Sequence, residues 1–267
     1  MARFTTISPS NLMRLIGTPA APRLLDLSLD EDFAADPFQI PGARRISHTR
    51  VADVPPDPAG RLTVLICQKG RKLSYGTAAV LRARGIAAEV LEGGNLGWAA
   101  KELPRIPARV LPPQGPGARW VTRHRPKIDR IACAWLIRRF VDPDAVFLFV
   151  PAAEVADVAE KFDATPFDVP GVRWSHRDDH CTFDTMVQEF GLSTEPLLAM
   201  ARIIRGADTD RHDLAPECAG LLALSVGLSR ARTDDLEQLS DGMILYDAFY
   251  RWARDGQGET HDWQETE

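Results

Sequence analysis

Three short apolar runs stand out in the first hundred residues: Leu24-Leu25-Asp26-Leu27, Leu62-Thr63-Val64-Leu65-Ile66 and Ala88-Glu89-Val90-Leu91. Each has the length of a buried strand. Between the last two lies Ser74–Arg84, with Ala78, Ala79 and Leu81 on one helical face and Gly85 as its stop. Strand, helix and strand joined by short turns make a βαβ unit, so the pattern predicts an α/β domain with a mainly parallel sheet. After residue 119 the period changes. Ile128, Ile131, Trp135 and Leu136 share a helical face, and Val146–Val150 has strand length. Pro196–Arg205, Ala215–Arg230 and Asp234–Trp252 repeat apolar residues every three or four positions, which predicts a mainly α-helical, α+β second domain.

Between the two patterns, residues 104–118 read Pro-Arg-Ile-Pro-Ala-Arg-Val-Leu-Pro-Pro-Gln-Gly-Pro-Gly-Ala. Prolines remove backbone donors and glycines loosen what remains, which is the composition of a linker. The expected organisation is a domain over 1–103, a linker over 104–118, a domain over 119–254 and a loose polar tail over 255–267.

Composition adds limits. With 267 residues, 45% of them hydrophobic, the chain is not a disordered one. No apolar run nears the roughly 20 residues that span a bilayer, and the first residues lack the apolar core of a secretory leader. The four cysteines, Cys67, Cys133, Cys181 and Cys218, form no C-x-x-C pair, so neither a disulfide scaffold nor a zinc finger is expected. These features point to a cytoplasmic protein with reduced thiols and no membrane insertion. The net charge of −5 disfavours a general nucleic-acid binder.

Cys67 directly follows the second apolar run and opens the loop Cys67-Gln68-Lys69-Gly70-Arg71-Lys72 before a helix. A strand–loop–helix turn points backbone N–H groups into a shallow cup, and the helix N-terminus adds partial positive charge. Lys69, Arg71 and Lys72 add whole charges, and Gly70 permits tight backbone geometry. A thiol there is expected to be a nucleophile, and the cup suits an anionic persulfide. The alternative is a buried cysteine that merely ends a strand.

Residues 22–103 resemble a rhodanese domain. The resemblance is carried by Leu24-Leu25-Asp26-Leu27, Ile40-Pro41-Gly42-Ala43, the Cys67 loop and Leu91-Glu92-Gly93-Gly94-Asn95-Leu96-Gly97-Trp98. It implies a parallel sheet with flanking helices and transfer of sulfane sulfur, as from thiosulfate, through a cysteine persulfide. Cys67 would be the nucleophile, with Gln68, Lys69, Gly70, Arg71 and Lys72 cradling the persulfide. The sequence departs from the family where Gln68 and Lys72 replace the usual arginines, Leu73 a serine, and Asp26-Leu27-Ser28 an aspartate-valine-arginine. A lysine offers no bidentate fork to a sulfonate, so a slow thiosulfate sulfurtransferase is expected.

Segment 119–139 carries seven basic residues against one acidic. Such clusters bind phosphate, sulfate or nucleic acid, or else form a solvated face. Arg123, Arg125, Lys127 and Arg130 are the candidate anion ligands, and Asp129 suits the start of a helix. Residues 119–254 also resemble the C-terminal domain of the chromate-resistance family called ChrB-like. The carriers include Trp120-Val121-Thr122-Arg123, Arg125-Pro126-Lys127-Ile128-Asp129-Arg130-Ile131-Ala132-Cys133, Pro166-Phe167-Asp168-Val169-Pro170-Gly171 and Ile204-Arg205-Gly206-Ala207-Asp208. The resemblance implies a role in bacterial chromate resistance, beside a chromate efflux pump, with a regulatory role proposed for the family.

Several acids and histidines of this half adjoin apolar runs, where a bare carboxylate is costly. His176, Asp184, Asp208, His124 and Asp129 form the candidate set for a divalent metal such as Mn, Fe or Zn. The alternative for Asp184 and Asp208 is helix capping. Chromate, a tetrahedral dianion, would suit the basic segment, with Cys133 as a sensor if a nearby cation lowers its pKa. Three readings stay open: a detoxification protein acting on thiosulfate or a chromate-like oxyanion, a chromate-responsive regulator binding DNA or a partner, and a purely structural or interaction module with an inert Cys67. Without a clear helix-turn-helix, DNA binding rests on the one basic segment and is disfavoured.

Overall fold

The computed structural model describes residues 6–113 and 115–259. In chain order the first half contains β1 (Thr6–Ile7), α1 (Pro9–Leu15), β2 (Arg23–Asp26), α2 (Asp30–Ala35), β3 (Phe38–Gln39), β4 (Ala43–Arg45), β5 (Thr63–Ile66), α3 (Lys72–Ala83), β6 (Ala88–Leu91), α4 (Gly94–Ala99) and β7 (Ile106–Pro107). Five of these strands form one parallel sheet in the order β1-β6-β5-β2-β4. All four residues of β5 are buried, as its uninterrupted apolar run requires of a central strand covered on both faces. The parallel sheet with flanking helices is the architecture that the rhodanese resemblance implies.

The second half contains β8 (Arg119–Arg123), α5 (Ile128–Leu136), β9 (Val146–Val150), α6 (Val155–Lys161), β10 (Ala164–Pro166), α7 (Thr182–Glu189), α8 (Glu195–Asp208), α9 (Cys218–Ala231) and α10 (Asp235–Arg251). Its three strands make a parallel sheet in the order β10-β8-β9. Helix α5 sits at the centre of this α+β half. Eight of its nine residues are buried, Arg130 being the exception, and it continues as a π-helical turn over Ile137–Val141.

The segment 104–118, whose composition reads as a linker, is built into the fold. Its β7 pairs antiparallel with β3, Ile106 and Val110 are buried, and the Trp98 indole donates to the Pro104 carbonyl. Gln114 within it lies outside the described residues. One continuous core runs through both halves, joining Leu12, Ile16 and Trp98 to Trp135, Phe140 and Tyr250. Gly17 shows how close the halves pack, because a Cβ placed there would lie 2.2 Å from the Phe140 ring. Of the tail, Asp255 belongs to a π-helical turn (Trp252–Gly256) and pairs with Arg251 and Arg254; residues 260–267 lie outside the described residues. Among the described residues no helix is long and apolar enough to cross a membrane.

Candidate functional site

Cys67 leaves the C-terminal end of β5, buried over the apolar floor of Leu25, Leu65 and Ala78. Its Sγ accepts the Arg71 N–H at 3.4 Å. The loop is closed from below by the Gly93-Gly94 turn. Asn95 and Leu96 donate their backbone N–H groups to the carbonyls of Cys67 and Gln68 at 3.1 and 3.0 Å. This approach leaves no room for side chains: a Cβ at Gly94 would lie 1.9 Å from the Cys67 carbonyl oxygen, and one at Gly70 2.3 Å from that of Leu91. Both glycines have positive φ, 58° and 59°. The Asn95 amide also donates to Asp26 and Ser28, tying the turn to the end of β2. Lys69, Arg71 and Lys72 stand exposed around the loop, and none is in an ion pair among the described residues. The arrangement is a sulfur atom facing a backbone donor beneath a rim of positive charge.

The basic segment divides in two. Arg123, His124, Arg125, Lys127 and Arg130 line a cavity of about 350 Å³ beside α5. Arg130, expected to hold an anion, is already engaged. Its Nε donates to Asp168 at 2.9 Å and its Nη1 to the carbonyls of residues 123–125 at 3.0–3.3 Å. Arg125, at φ 58°, gives its backbone N–H to Asp235 and its guanidinium to the Ser229 carbonyl. That leaves Lys127, which is exposed, and Arg123, whose Nη2 pairs with Asp168 at 3.5 Å while its Nε is buried without a partner.

Behind this wall the structure gathers an imidazole and three carboxylates. His176 Nε2 lies 3.3 Å from Asp129 Oδ2, 3.3 Å from Asp168 Oδ1 and 3.6 Å from Asp208 Oδ2. Each carboxylate is positioned by local structure. Asp129, in the first turn of α5, caps the N-terminus of α7 from outside, its two oxygens accepting the N–H groups of Thr182 and Phe183 at 2.8 and 2.9 Å. Asp168 follows β10 at φ 50° and also accepts the Thr182 hydroxyl. Asp208 ends α8. His176 arrives on the loop between β10 and α7, which is held down where Arg173 and Arg177 both pair with Glu189 on α7. Its ring stays 42% exposed, so the cluster has one open side.

The charged groups of the cluster shift one another's protonation. Hydrogen bonds to Asp129 and Asp168 hold the His176 pKa at about 10, against the effect of burial. Burial, with repulsion from Asp129 and Asp168, raises that of Asp208 to about 6. Burial would also raise Asp168, but hydrogen bonds from His176 and the charge of Arg130 outweigh it and leave that carboxyl below its ordinary value. Atoms of Asp129, His176 and Asp208 lie within 4.8 Å of one another. His176 Nε2, at 3.3 Å from Asp129 and 3.6 Å from Asp208, stands near the roughly 3.0–3.4 Å that separates ligands about 2.1 Å from a shared ion, and the N/O donor set suits a first-row divalent metal.

Of the five residues expected as metal ligands, the structure brings together Asp129, His176 and Asp208 and leaves two apart. Asp184 caps its own helix, accepting the Cys181 N–H at 3.1 Å and pairing with Arg205 at 3.0 Å. His124 lines the basic cavity instead. Asp168, which was not among the five, joins the cluster through its contact with His176. Its signal was a lone acid between apolar neighbours, Phe167 and Val169, where burial without a partner is costly. Cys133 does not have the environment of a sensor. It is fully buried and donates to Asp129 at 3.6 Å, and burial and that negative charge raise its pKa rather than lower it.

Comparisons with known proteins cover both halves. The N-terminal part is similar to the solved structure of a thiosulfate sulfurtransferase from Pseudomonas aeruginosa, at 26% identity over 41% of this chain and 20% of that one, with a TM-score of 0.34. It is also similar to a rhodanese-related protein from Thermoplasma volcanium, at 18% identity over 39% and 98% of the two chains, with a TM-score of 0.33. The protein ChrB of Cupriavidus metallidurans is 34% identical over 146 residues, 54% of this chain; the match spans 43% of that protein's length. The family profile of the ChrB C-terminal domain matches residues 120–253, half of the chain and the whole setting of the His176 cluster. The chain therefore belongs to the family defined by the ChrB C-terminal domain.

Proposed function

We propose that this protein serves chromate resistance with two chemical centres: a divalent-cation site at Asp129, Asp168, His176 and Asp208, and a persulfide-forming cysteine at Cys67. The observation that carries the reading is one imidazole nitrogen facing three carboxylate oxygens at 3.3–3.6 Å, with one side open to solvent. Three acids share one imidazole, and Asp208, raised to about 6 by burial and by its two acidic neighbours, is the one that a bound cation would relieve most. A bound cation would neutralise them and supply a Lewis acid for an oxyanion. The protein's own part is to hold the ligands. Asp129 is fixed by the α7 amides, Asp168 by Arg130 and Thr182, and His176 by its clamped loop. Arg123 and Lys127 supply positive charge in the adjoining cavity, suited to a tetrahedral oxyanion of the chromate type.

At the other centre, the Cys67 thiolate attacks the outer sulfur of thiosulfate. A new S–S bond forms, the old one breaks, and sulfite leaves with its electron pair. The Arg71 N–H and the rim of Lys69, Arg71 and Lys72 stabilise the resulting persulfide anion.

Elemental analysis of untagged protein tests the first centre. About one equivalent of Mn, Fe or Zn is expected, and it is lost in Asp208→Asn. A metal-free protein that gains no metal on titration would overturn the reading. Thiosulfate:cyanide sulfurtransferase activity tests the second; Cys67→Ser should abolish it, and unchanged activity in that variant would remove the cysteine from the scheme.

A further inference from the structure

The end of α5 remote from Asp129 opens on a different space. A cleft of about 980 Å³ runs between the two halves, walled by the start of β2, the edge strand β4 and the turn around residues 138–144. Prolines of segments 55–58 and 112–116 supply its apolar walls, and no residue of the Cys67 loop or the His176 cluster lines it.

The guanidinium groups in this cleft are of two kinds. Arg45, Arg50, Arg61 and Arg139 each reach a carboxylate within 3.0 Å. Among the described residues, Arg23 and Arg138 contact none. Arg23 donates to the Thr63 hydroxyl and the Pro55 carbonyl. Arg138 donates only to the Ala145 carbonyl, at 3.3 Å, and lies over the Phe147 ring. Burial and nearby arginines push both below the usual arginine range. Arg44 reaches Asp144 across the cleft at only 3.8 Å, with both side chains more than half exposed.

A second observation marks the same place. The π-helical turn carries Arg138 and Arg139, and the Asp142 N–H bonds to the Ile137 carbonyl at 2.8 Å, five residues back. Such turns concentrate at functional sites, and here one sets two successive arginines into the cleft wall.

We propose that this cleft binds a phosphate-bearing small molecule with at least two phosphoryl groups, held by Arg23, Arg44 and Arg138. Guanidinium groups on two opposing walls can each take a separate phosphoryl group, and arginine's planar fork matches phosphate oxygens. The volume lies near the top of the range for small-ligand pockets, about 300–1,000 Å³, which leaves room for an organic part against the prolines. The site is independent of the cation centre at the far end of α5.

The test is calorimetric titration of the full-length chain at low salt with pyrophosphate, ADP and inorganic phosphate. Pyrophosphate or ADP should bind at least tenfold more tightly than inorganic phosphate, and tighter ADP would show that the organic part contributes. Arg44→Glu, an exposed change that leaves folding alone, should weaken binding at least tenfold, as should Arg138→Gln. Asp208→Asn at the cation centre should leave it unchanged. No binding of either probe at millimolar concentration would overturn the proposal. So would equal binding by Arg44→Glu, or loss in Asp208→Asn alone, which would put the anion at the cation centre.

Discussion

A cation entering the His176 cluster must drive out a proton. Asp129 and Asp168 hold the imidazole at a pKa of about 10, so it is protonated at pH 7 in the metal-free protein. A metal ligand must be neutral imidazole. Three pH units at about 1.36 kcal/mol each set an upper bound near 4 kcal/mol on the cost of deprotonation. The ring is 42% exposed, and solvent screening brings this to about 2 kcal/mol. Asp208, with a pKa of about 6, is mostly ionised at pH 7 and adds only about a tenth of a proton. Close to one proton should therefore leave per cation bound at pH 7. Apparent affinity should rise about tenfold per pH unit between pH 7 and 9, and more steeply below pH 6, where Asp208 must also ionise. Calorimetric titration of metal-free protein with Mn²⁺ or Zn²⁺, in buffers of different ionisation enthalpy, counts the protons directly. His176→Ala should bind more weakly and lose the slope above pH 7. A pH-independent affinity without proton release refutes the reasoning, as does an unchanged slope in His176→Ala.

The same groups set the stability of the metal-free protein. His176 has a folded pKa raised above 6.5, so its stabilisation is complete below that pH and fades as pH rises through about 10. Asp208 is raised above 3.8, so its protonated form favours the fold at low pH and that preference is lost by about pH 6. The melting temperature should fall from pH 6 to 10, and added divalent cation should remove most of the fall; a rising profile would contradict it. Phe140→Ala should cost about 3–5 kcal/mol and melt both halves together in one earlier transition, because the ring packs between them. Two separated transitions by near-ultraviolet circular dichroism would count against a continuous core. Gly94→Ala should displace the Cys67 loop and remove sulfurtransferase activity while cation binding persists, since its Cβ would meet the Cys67 carbonyl; full activity would contradict that geometry.

The first sheet was legible where strands are long enough to show a pattern. The apolar runs over β2, β5 and β6 and the helical face of α3 are local features. Strand β1 has two residues and β10 three, too few for any period to appear. The segment 104–118 misleads because its order comes from β3, some seventy residues earlier, and proline content says nothing about such a partner. The same contrast governs the cluster. Asp129, His176 and Asp208 were recognisable by residue type, but sequence proximity favoured Asp184, which sits three residues from Cys181 and is spent on capping its own helix. Asp168 was hidden because its partners, Arg130 and Thr182, are 38 and 14 residues away.

Helix α5 explains why the charged chemistry of this half lies where it does. A helix buried on nearly every side can carry polar groups only where it leaves the core. At its N-terminus Asp129 is fully buried, yet its oxygens are satisfied by the unpaired amides that begin α7. One side chain thereby completes a second helix and faces His176. At the other end the π-helical turn lets Arg139 pair with Asp247, both bonds at 2.6–2.7 Å, while Arg138 keeps only neutral partners. About 14 Å of helix axis, at 1.5 Å per residue, separates Asp129 from Arg138. The residues between them, apolar but for Arg130, keep the two charges from compensating each other, so each end finds its partners outside the helix: His176 and the α7 amides at one, the Ala145 carbonyl and the Phe147 ring at the other.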